Sequence, residues 1–444
     1  MKIGFAKADV TPRVGVELSG FGPFVLRRSV GVRDRLWARA MAVEQGGRRQ
    51  ILVSCDLIGV QDWITRRVRE LVREKTGLAP ECLMLHTTHT HSGPNTGGYV
   101  GWGAPDQPYL EILPQRIAQA CFAALDNLQE AELSRAVVPC EGIGLNRQYD
   151  KDSPALADVL REEWRPSKPE MTDTACQVLK ATASGKLIGF VSYFGCHPVV
   201  CCAETHYIHG DYCGVATNLI EREHPGSVGL FLQGANGDVN SCVVHKPEID
   251  SLLALDVIAG RFARAVRQGL ATAAPVPVES LAAVSQGRPF SRKPYGIEKL
   301  KDLLSEQEAI LYAPDASDSA QAVRMATVYA LALRGMIAGM EQGETMSPPL
   351  ELQGFRIGPL LLLASPFETF QAIKNEVRTR LNEPLALVMS VTNDTRGYAP
   401  DRTIAAQGGY AADIVPMIMG ALPYAAIHDE LVDGLVAVAK ALRA

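Results

Sequence analysis

Three histidines, His86, His89 and His91, fall within six residues in the run Leu85-His-Thr-Thr-His-Thr-His-Ser-Gly-Pro94. Imidazole is the commonest protein metal ligand and the usual general acid or base near neutral pH. One such histidine would read as a hydrogen-bonded loop residue. Three together, where the short apolar run Glu81–Leu85 gives way to polar residues, point to a metal or catalytic site at a strand end. If the backbone stays extended, His89 and His91 share a face and His86 opposes them. Ser92-Gly93-Pro94 then enforces a turn.

The pattern recurs along the chain. The apolar run Leu187–Gly195 ends in Cys196-His197-Pro198, and Val228–Gln233 stops at Gly234-Ala235-Asn236-Gly237-Asp238-Val239-Asn240. Glu351–Ser365 ends at Pro366-Phe367-Glu368-Thr369, where Pro366 is read as starting a helix with Glu368 in its first turn. A catalytic zinc keeps about three protein ligands and leaves a place for water. The His86–His91 cluster, His197 and Glu368 supply such donors from separate strand ends. Each also has an ordinary reading, Glu368 as a helix-start acid and His197 as a buried turn histidine. His206 and His209 read as surface or supporting groups; His224, His245 and His428 are assigned no role.

The elements that must carry these residues read as an α/β fold: a mixed β-sheet flanked by helices, with the metal site at strand ends. Gln61–Gly77 is an amphipathic helix between the strands Gln50–Cys55 and Glu81–Leu85, a parallel βαβ unit that brings Asp56 and the histidines to carboxyl ends. Pro108–Leu128, Tyr212–Glu223, Ser251–Ala273 and Ile427–Leu442 are further helices. Thr174–Ala183 and Leu187–Gly195 flank a turn and form a hairpin. Ile297–Ala313 and Ser317–Gly343, broken at Pro314, form a helical insertion near 297–343. No repeat, low-complexity segment or linker divides the sequence, so residues 1–444 are expected to form a single catalytic domain.

Composition narrows the function. The 444 residues are 47% hydrophobic and 21% charged, with a net charge of −5 and no Lys/Arg-rich run, which argues against a nucleic-acid partner. No uninterrupted apolar stretch reaches ~18 residues, so no membrane span is expected. The N-terminus does not read as a secretory leader, and the ten cysteines are expected as buried, reduced thiols in a cytoplasmic protein.

The same residues carry a resemblance. His89-Thr90-His91-Ser92-Gly93-Pro94 is similar to the signature of the neutral ceramidase family, zinc amidases that cleave the N-acyl bond of ceramide. Lys7-Ala8-Asp9-Val10-Thr11-Pro12 resembles the family's opening, and Asp34 and Asp56 lie in similar segments. Asn146-Arg147, His197-Pro198, Gly210-Asp211, Pro366-Phe367-Glu368-Thr369, Tyr398 and Tyr410 follow in the family's order. The resemblance implies Zn2+ held by His89, His197, Glu368 and Tyr398, with His91, Arg147 and Tyr410 contacting substrate. Residue chemistry alone would not select Tyr398. Two departures stand out: Asn240 replaces the serine of the family's Gly-Asp-Val-Ser-Pro-Asn run, and no counterpart of its leader or C-terminal immunoglobulin-like domain is seen.

The expected activity is zinc-dependent hydrolysis of an amide bond by an activated water, on a small, soluble N-acyl or cyclic amide. His91 would move a proton or steady the oxyanion, Asn240 would donate to that oxyanion, and Arg147 or Tyr410 would hold the substrate. The guanidinium of Arg147 suits a polar or anionic group. The alternatives are a zinc esterase or lactonase, a true ceramidase acting on N-acyl sphingosine, and a non-catalytic metal- or ligand-binding protein. The expected partner is a small-molecule amide, with no nucleic acid and no membrane.

Overall fold

The computed structural model describes residues 1–98, 100–151 and 154–443. The chain builds one arrangement three times over: two strands, a third joined to the second by a tight turn, a helix, a fourth strand, a helix. The first unit comprises β1 (Lys2–Asp9), β2 (Trp37–Gln45), β3 (Arg48–Cys55), α1 (Asp62–Thr76), β4 (Leu83–Thr87) and α2 (Gln107–Asp126). The second comprises β5 (Glu132–Pro139), β6 (Ala175–Ala183), β7 (Lys186–Phe194), α3 (Asp211–Glu223), β8 (Val228–Gln233) and α4 (Glu248–Thr272). The third begins at β9 (Leu281–Arg288) and carries the helical insertion α5 (Ile297–Leu311) and α6 (Gln321–Glu341). It continues through β10 (Leu350–Ile357), β11 (Leu360–Ala364), α7 (Gln371–Leu381) and β12 (Leu387–Met389) to α8 (Ile427–Ala441).

Each unit forms a sheet of the same order: β4-β3-β2-β1, β8-β7-β6-β5 and β12-β11-β10-β9. The pairs β3/β4, β7/β8 and β11/β12, bridged by a helix, are parallel, and the rest are antiparallel. The β2–β3 and β6–β7 hairpins turn through Gly46-Gly47 and Ser184-Gly185, all at positive φ, which matches the twist of the flanking strands. The mixed α/β class therefore holds, as three main sheets instead of one. The expectation of no internal repeat is corrected at the level of topology. Packing asks only that the apolar pattern recur, so the units need not share residues.

Burial explains the composition of the central strands. β4 and β11 are buried along their whole length, as are the second halves of β3 and β7. One face of every sheet enters a shared core, where Met41, Leu52 and Met84 join Val191 and Leu230, and Phe355 and Leu362. The other faces are covered by α1 and α2, by α3 and α4, and by α7 and α8. A fully buried Leu or Phe contributes roughly 1.5–3 kcal/mol, so truncating Phe355 at the shared core would cost about 3–5 kcal/mol.

Other readings hold with small shifts. α1 ends at Gly77 in the left-handed region (φ 72), but its N-cap position is Gln61, not Asp62. The insertion packs Leu300 of α5 with Leu333, Met336 and Ile337 of α6 and with Met417 and Leu422. Among the described residues all ten cysteines are free, nine of them buried. Glu368 differs from expectation. It lies not in a helix but in a two-residue strand, Glu368–Thr369, paired in parallel with Tyr398–Ala399. The Glu368 N–H donates to the Gly397 carbonyl (2.8 Å), and the helix starts only at Gln371.

Candidate metal centre and cleft

Each main sheet sends one donor segment to a common point. His89 and His91 follow β4, His197 follows β7, and Glu368 follows β11. All three strands end at the edge of a parallel pair, where open α/β sheets place their sites.

The histidine cluster divides. β4 stops at Thr87, and His86 is structural: its Nε2 accepts from the Gln233 N–H (2.8 Å), and its Nδ1 meets the Thr392 hydroxyl (2.9 Å). His89 is not extended but sits at φ 68, outside the region most residues prefer. That left-handed step, not the alternation of a strand, turns its ring toward that of His91. The expected extended backbone is thus corrected, while the pairing of His89 with His91 stands.

Each ring is anchored by a carbonyl. His89 Nδ1 lies 2.5 Å from the Ile58 carbonyl, His91 Nδ1 3.1 Å from that of Gly20, and His197 Nδ1 2.6 Å from that of Asn236. A carbonyl only accepts, so each Nδ1 carries a proton and each Nε2 is the nitrogen turned to the cleft. The free nitrogens converge: His91 Nε2 is 3.3 Å from His89 Nε2, and Oε2 of Glu368 lies 2.9 Å from His197 Nε2 and 3.4 Å from His89 Nε2. His89 and His197 are each 1% exposed and Glu368 5%, whereas His91 keeps an accessible edge. Burial, together with the neighbouring imidazoles, holds His91 well below the usual histidine range. Three converging imidazole nitrogens and a buried carboxylate make a donor set of the kind that holds a divalent cation. The arrangement fits a metal ion, with the Nδ1–carbonyl bonds orienting its ligands.

Tyr398 stands next to Glu368 through the strand pairing, 7% exposed, with its ring centroid 6.3 Å from that of His197. Tyr410, half-exposed, places its ring 5.8 Å from Tyr398 at the cleft mouth. Arg147 donates to the Gly237 carbonyl (2.5 Å), and its guanidinium lies 4.8 Å above the Tyr398 ring. Burial pushes the Tyr398 hydroxyl up, and Arg147 opposes this. Arg147 thus stands behind Tyr398, one of the residues that line the cleft. Asn240 is partly exposed and does not line the cleft. Its predecessor Val239 touches the site, the carbonyl accepting from the His197 N–H (2.8 Å).

The cleft is narrow, about 60 Å³, and is walled by Ile58, Trp102, Val415, Ile418 and Met419 around His89, His91, Glu368, Tyr398 and Tyr410. No local pattern in the sequence marks these apolar walls, because they come from two loops and the short helix Val415–Ile418, which only the fold brings together. A second group, Cys201, His209 and Asp211, is also close-set and buried. Asp211 and one ring nitrogen of His209 are already engaged, while the His209 Nε2 has no partner among the described residues. Asp211 accepts from the N–H groups of Val200, Cys201 and Tyr212, and His209 Nδ1 accepts from the Asp211 N–H.

Residues 1–247 match the family described as neutral/alkaline non-lysosomal ceramidase, N-terminal. The neutral ceramidase of Pseudomonas aeruginosa is 26% identical over 263 residues, 55% of this chain and 38% of that protein. The match thus spans well under half the length of that relative. The crystal structure of the Pseudomonas aeruginosa neutral ceramidase superimposes with a TM-score of 0.73 at 20% identity, covering 99% of this chain and 75% of the other. A structure of a ceramidase complexed with C2 gives the same values. Since the matched region takes in His89, His91 and His197, more than half of the chain included, this protein belongs to the neutral/alkaline non-lysosomal ceramidase family.

Proposed function

We propose that the protein hydrolyses the amide bond of an N-acyl substrate, using zinc held by His89, His197, Glu368 and Tyr398. The observation that carries the reading is the convergence of three imidazole nitrogens and a buried carboxylate at the floor of an apolar cleft. Zinc suits nitrogen and oxygen donors of this kind and, when bound, supplies Lewis acidity that polarises a carbonyl and acidifies water to a pKa near ~7.

The chain's own residues do the rest. His91, with a free Nε2 and an accessible edge, takes the proton released as water attacks and returns it to the leaving nitrogen. Tyr410 offers its hydroxyl to the substrate at the mouth. Trp102, Ile418, Met419 and Val415 receive the acyl group and exclude water from it. Arg147 steadies Tyr398.

The small cleft favours a short acyl group. The apolar walls and the family favour a second reading, the long N-acyl chain of ceramide. Purified protein with zinc, offered N-acetyl amides, the matching esters and long-chain N-acyl sphingosine, decides between them. Turnover of short amides supports the first reading, turnover of ceramide alone the second, and turnover of esters alone an esterase. Full activity without any metal overturns the zinc reading.

A further inference from the structure

Arg27 is wholly buried, yet among the described residues no carboxylate pairs with it. A cation taken out of water without a counter-charge is unfavourable, and an apolar side chain would have filled the space without that cost. Its guanidinium is instead spent on three backbone carbonyls. Nη1 donates to those of Ser19 and His91 (3.0 Å each), and Nη2 to that of Thr205 (3.0 Å). The group also stacks over Phe21 at 5.0 Å, and Phe21 meets the His91 ring edge-on at 5.3 Å.

These acceptors are specific in what they hold. The Ser19 carbonyl immediately precedes Gly20, whose own carbonyl takes the His91 Nδ1 proton. Nη1 therefore bridges the backbone of His91 to the segment that anchors the His91 ring. The Ser19 N–H donates to the Gly93 carbonyl (3.0 Å), closing the same frame from its other side. Gly20 lets the segment approach, because a Cβ there would fall 2.4 Å from His91 Nδ1. Thr205 ties in the loop that follows His197, and in that loop the Pro198 carbonyl faces the His91 N–H (3.5 Å).

We propose that Arg27 is the positioning residue for His91: it clamps the 19–20 segment and the 205 loop so that the Gly20 carbonyl fixes which ring nitrogen of His91 is protonated and aims Nε2 into the cleft. The inference rests on the reading of His91 as the proton-moving group. A planar guanidinium with separate donors spans three carbonyls on three segments; the ammonium of a lysine, a single point of donation, does not.

The test is ¹⁵N NMR of the full chain labelled at histidine, with zinc present, the His91 signals being assigned by their loss in His91→Gln. Wild type should show His91 locked with Nδ1 protonated. Arg27→Lys should show averaging of its two ring nitrogens while zinc content stays at wild-type level. Turnover should fall roughly tenfold or more with KM little changed. Gly20→Ala, which disturbs the same anchor from the other side, should reproduce both effects and keeps the test alive if the Arg27 variant does not fold. A locked, wild-type His91 pattern in a folded Arg27→Lys protein, or in Gly20→Ala, overturns the clamp. A wild type without amidase activity but with the NMR change intact overturns the proposed reaction and leaves the clamp standing.

Discussion

Nε2 of His197 lies 2.9 Å from Oε2 of Glu368, 171 positions away in the chain and at the end of a different sheet. Two buried polar groups meet there because two units of the same topology present the same kind of strand end. That relationship, extended through His89, is the basis for the first prediction.

Wild-type protein should retain about one zinc per chain through gel filtration. His89→Ala and His197→Ala should lose it, as read by elemental analysis. Free metal at about 100 times its dissociation constant should stabilise the fold by about 2.7 kcal/mol, so a chelator should lower the melting temperature of wild type and leave that of His197→Ala unmoved. An unchanged melting temperature in wild type would count against a site built from three sheets.

His91→Gln should keep its metal and lose turnover by roughly 10²-fold, the scale of a lost acid–base group. His91 is the one imidazole of the cluster with an accessible edge. Metal analysis beside steady-state kinetics checks this. A zinc-free His91→Gln protein would make His91 a ligand.

Tyr410→Phe and Asn240→Ala should separate. Tyr410 lines the cleft and Asn240 does not, so the first should weaken kcat/KM by about tenfold, the scale of one lost hydrogen bond. The second should change it less than about threefold. A large loss in Asn240→Ala would restore the oxyanion role expected from the sequence.

Trp102→Ala should open the cleft. Each methylene in an apolar pocket is worth roughly 1–3 kcal/mol, so preference should shift toward longer acyl chains by tenfold or more. Competition between N-acetyl and N-hexanoyl amides measures it, and an unchanged ratio would remove Trp102 from the acyl wall.

Acid should weaken the link between α7, the short helix Arg402–Gln407 and α8. Glu376 accepts two bonds from Arg402 (2.7 and 3.0 Å) and one from His428 (2.9 Å), and these hold its carboxyl down at about 2 from an ordinary 4.5. The native state binds the proton less readily than the unfolded chain. The stabilisation is therefore present above about pH 4.5 and lost as the pH falls toward 2. Solvent screening keeps it near about 1 kcal/mol or less. Chemical denaturation of wild type and Glu376→Gln should show a gap at pH 7 that closes over that window.

What the sequence by itself determined was the alphabet of the site and the elements that carry it. Strands such as Val228–Gln233 and helices such as Asp62–Thr76 are legible because apolar periodicity and a glycine stop are local signals. The donors His89, His197 and Glu368 are legible because each ends an apolar run in a polar cluster. Tertiary structure decided what local pattern does not encode. The left-handed backbone at His89 is held by its bonds to Leu57 and Ile58. The strand pairing of Glu368 with Tyr398 replaced a predicted helix turn because Gly397, far downstream in the sequence, supplied a carbonyl to the Glu368 N–H. Arg147 came to lie over Tyr398, and Trp102, Ile418 and Met419 became a cleft wall. Arg27 became a buried clamp on carbonyls from three segments. The threefold topology stayed hidden for the same reason: side-chain identity can drift while the need to bury one face of each sheet against a shared core persists.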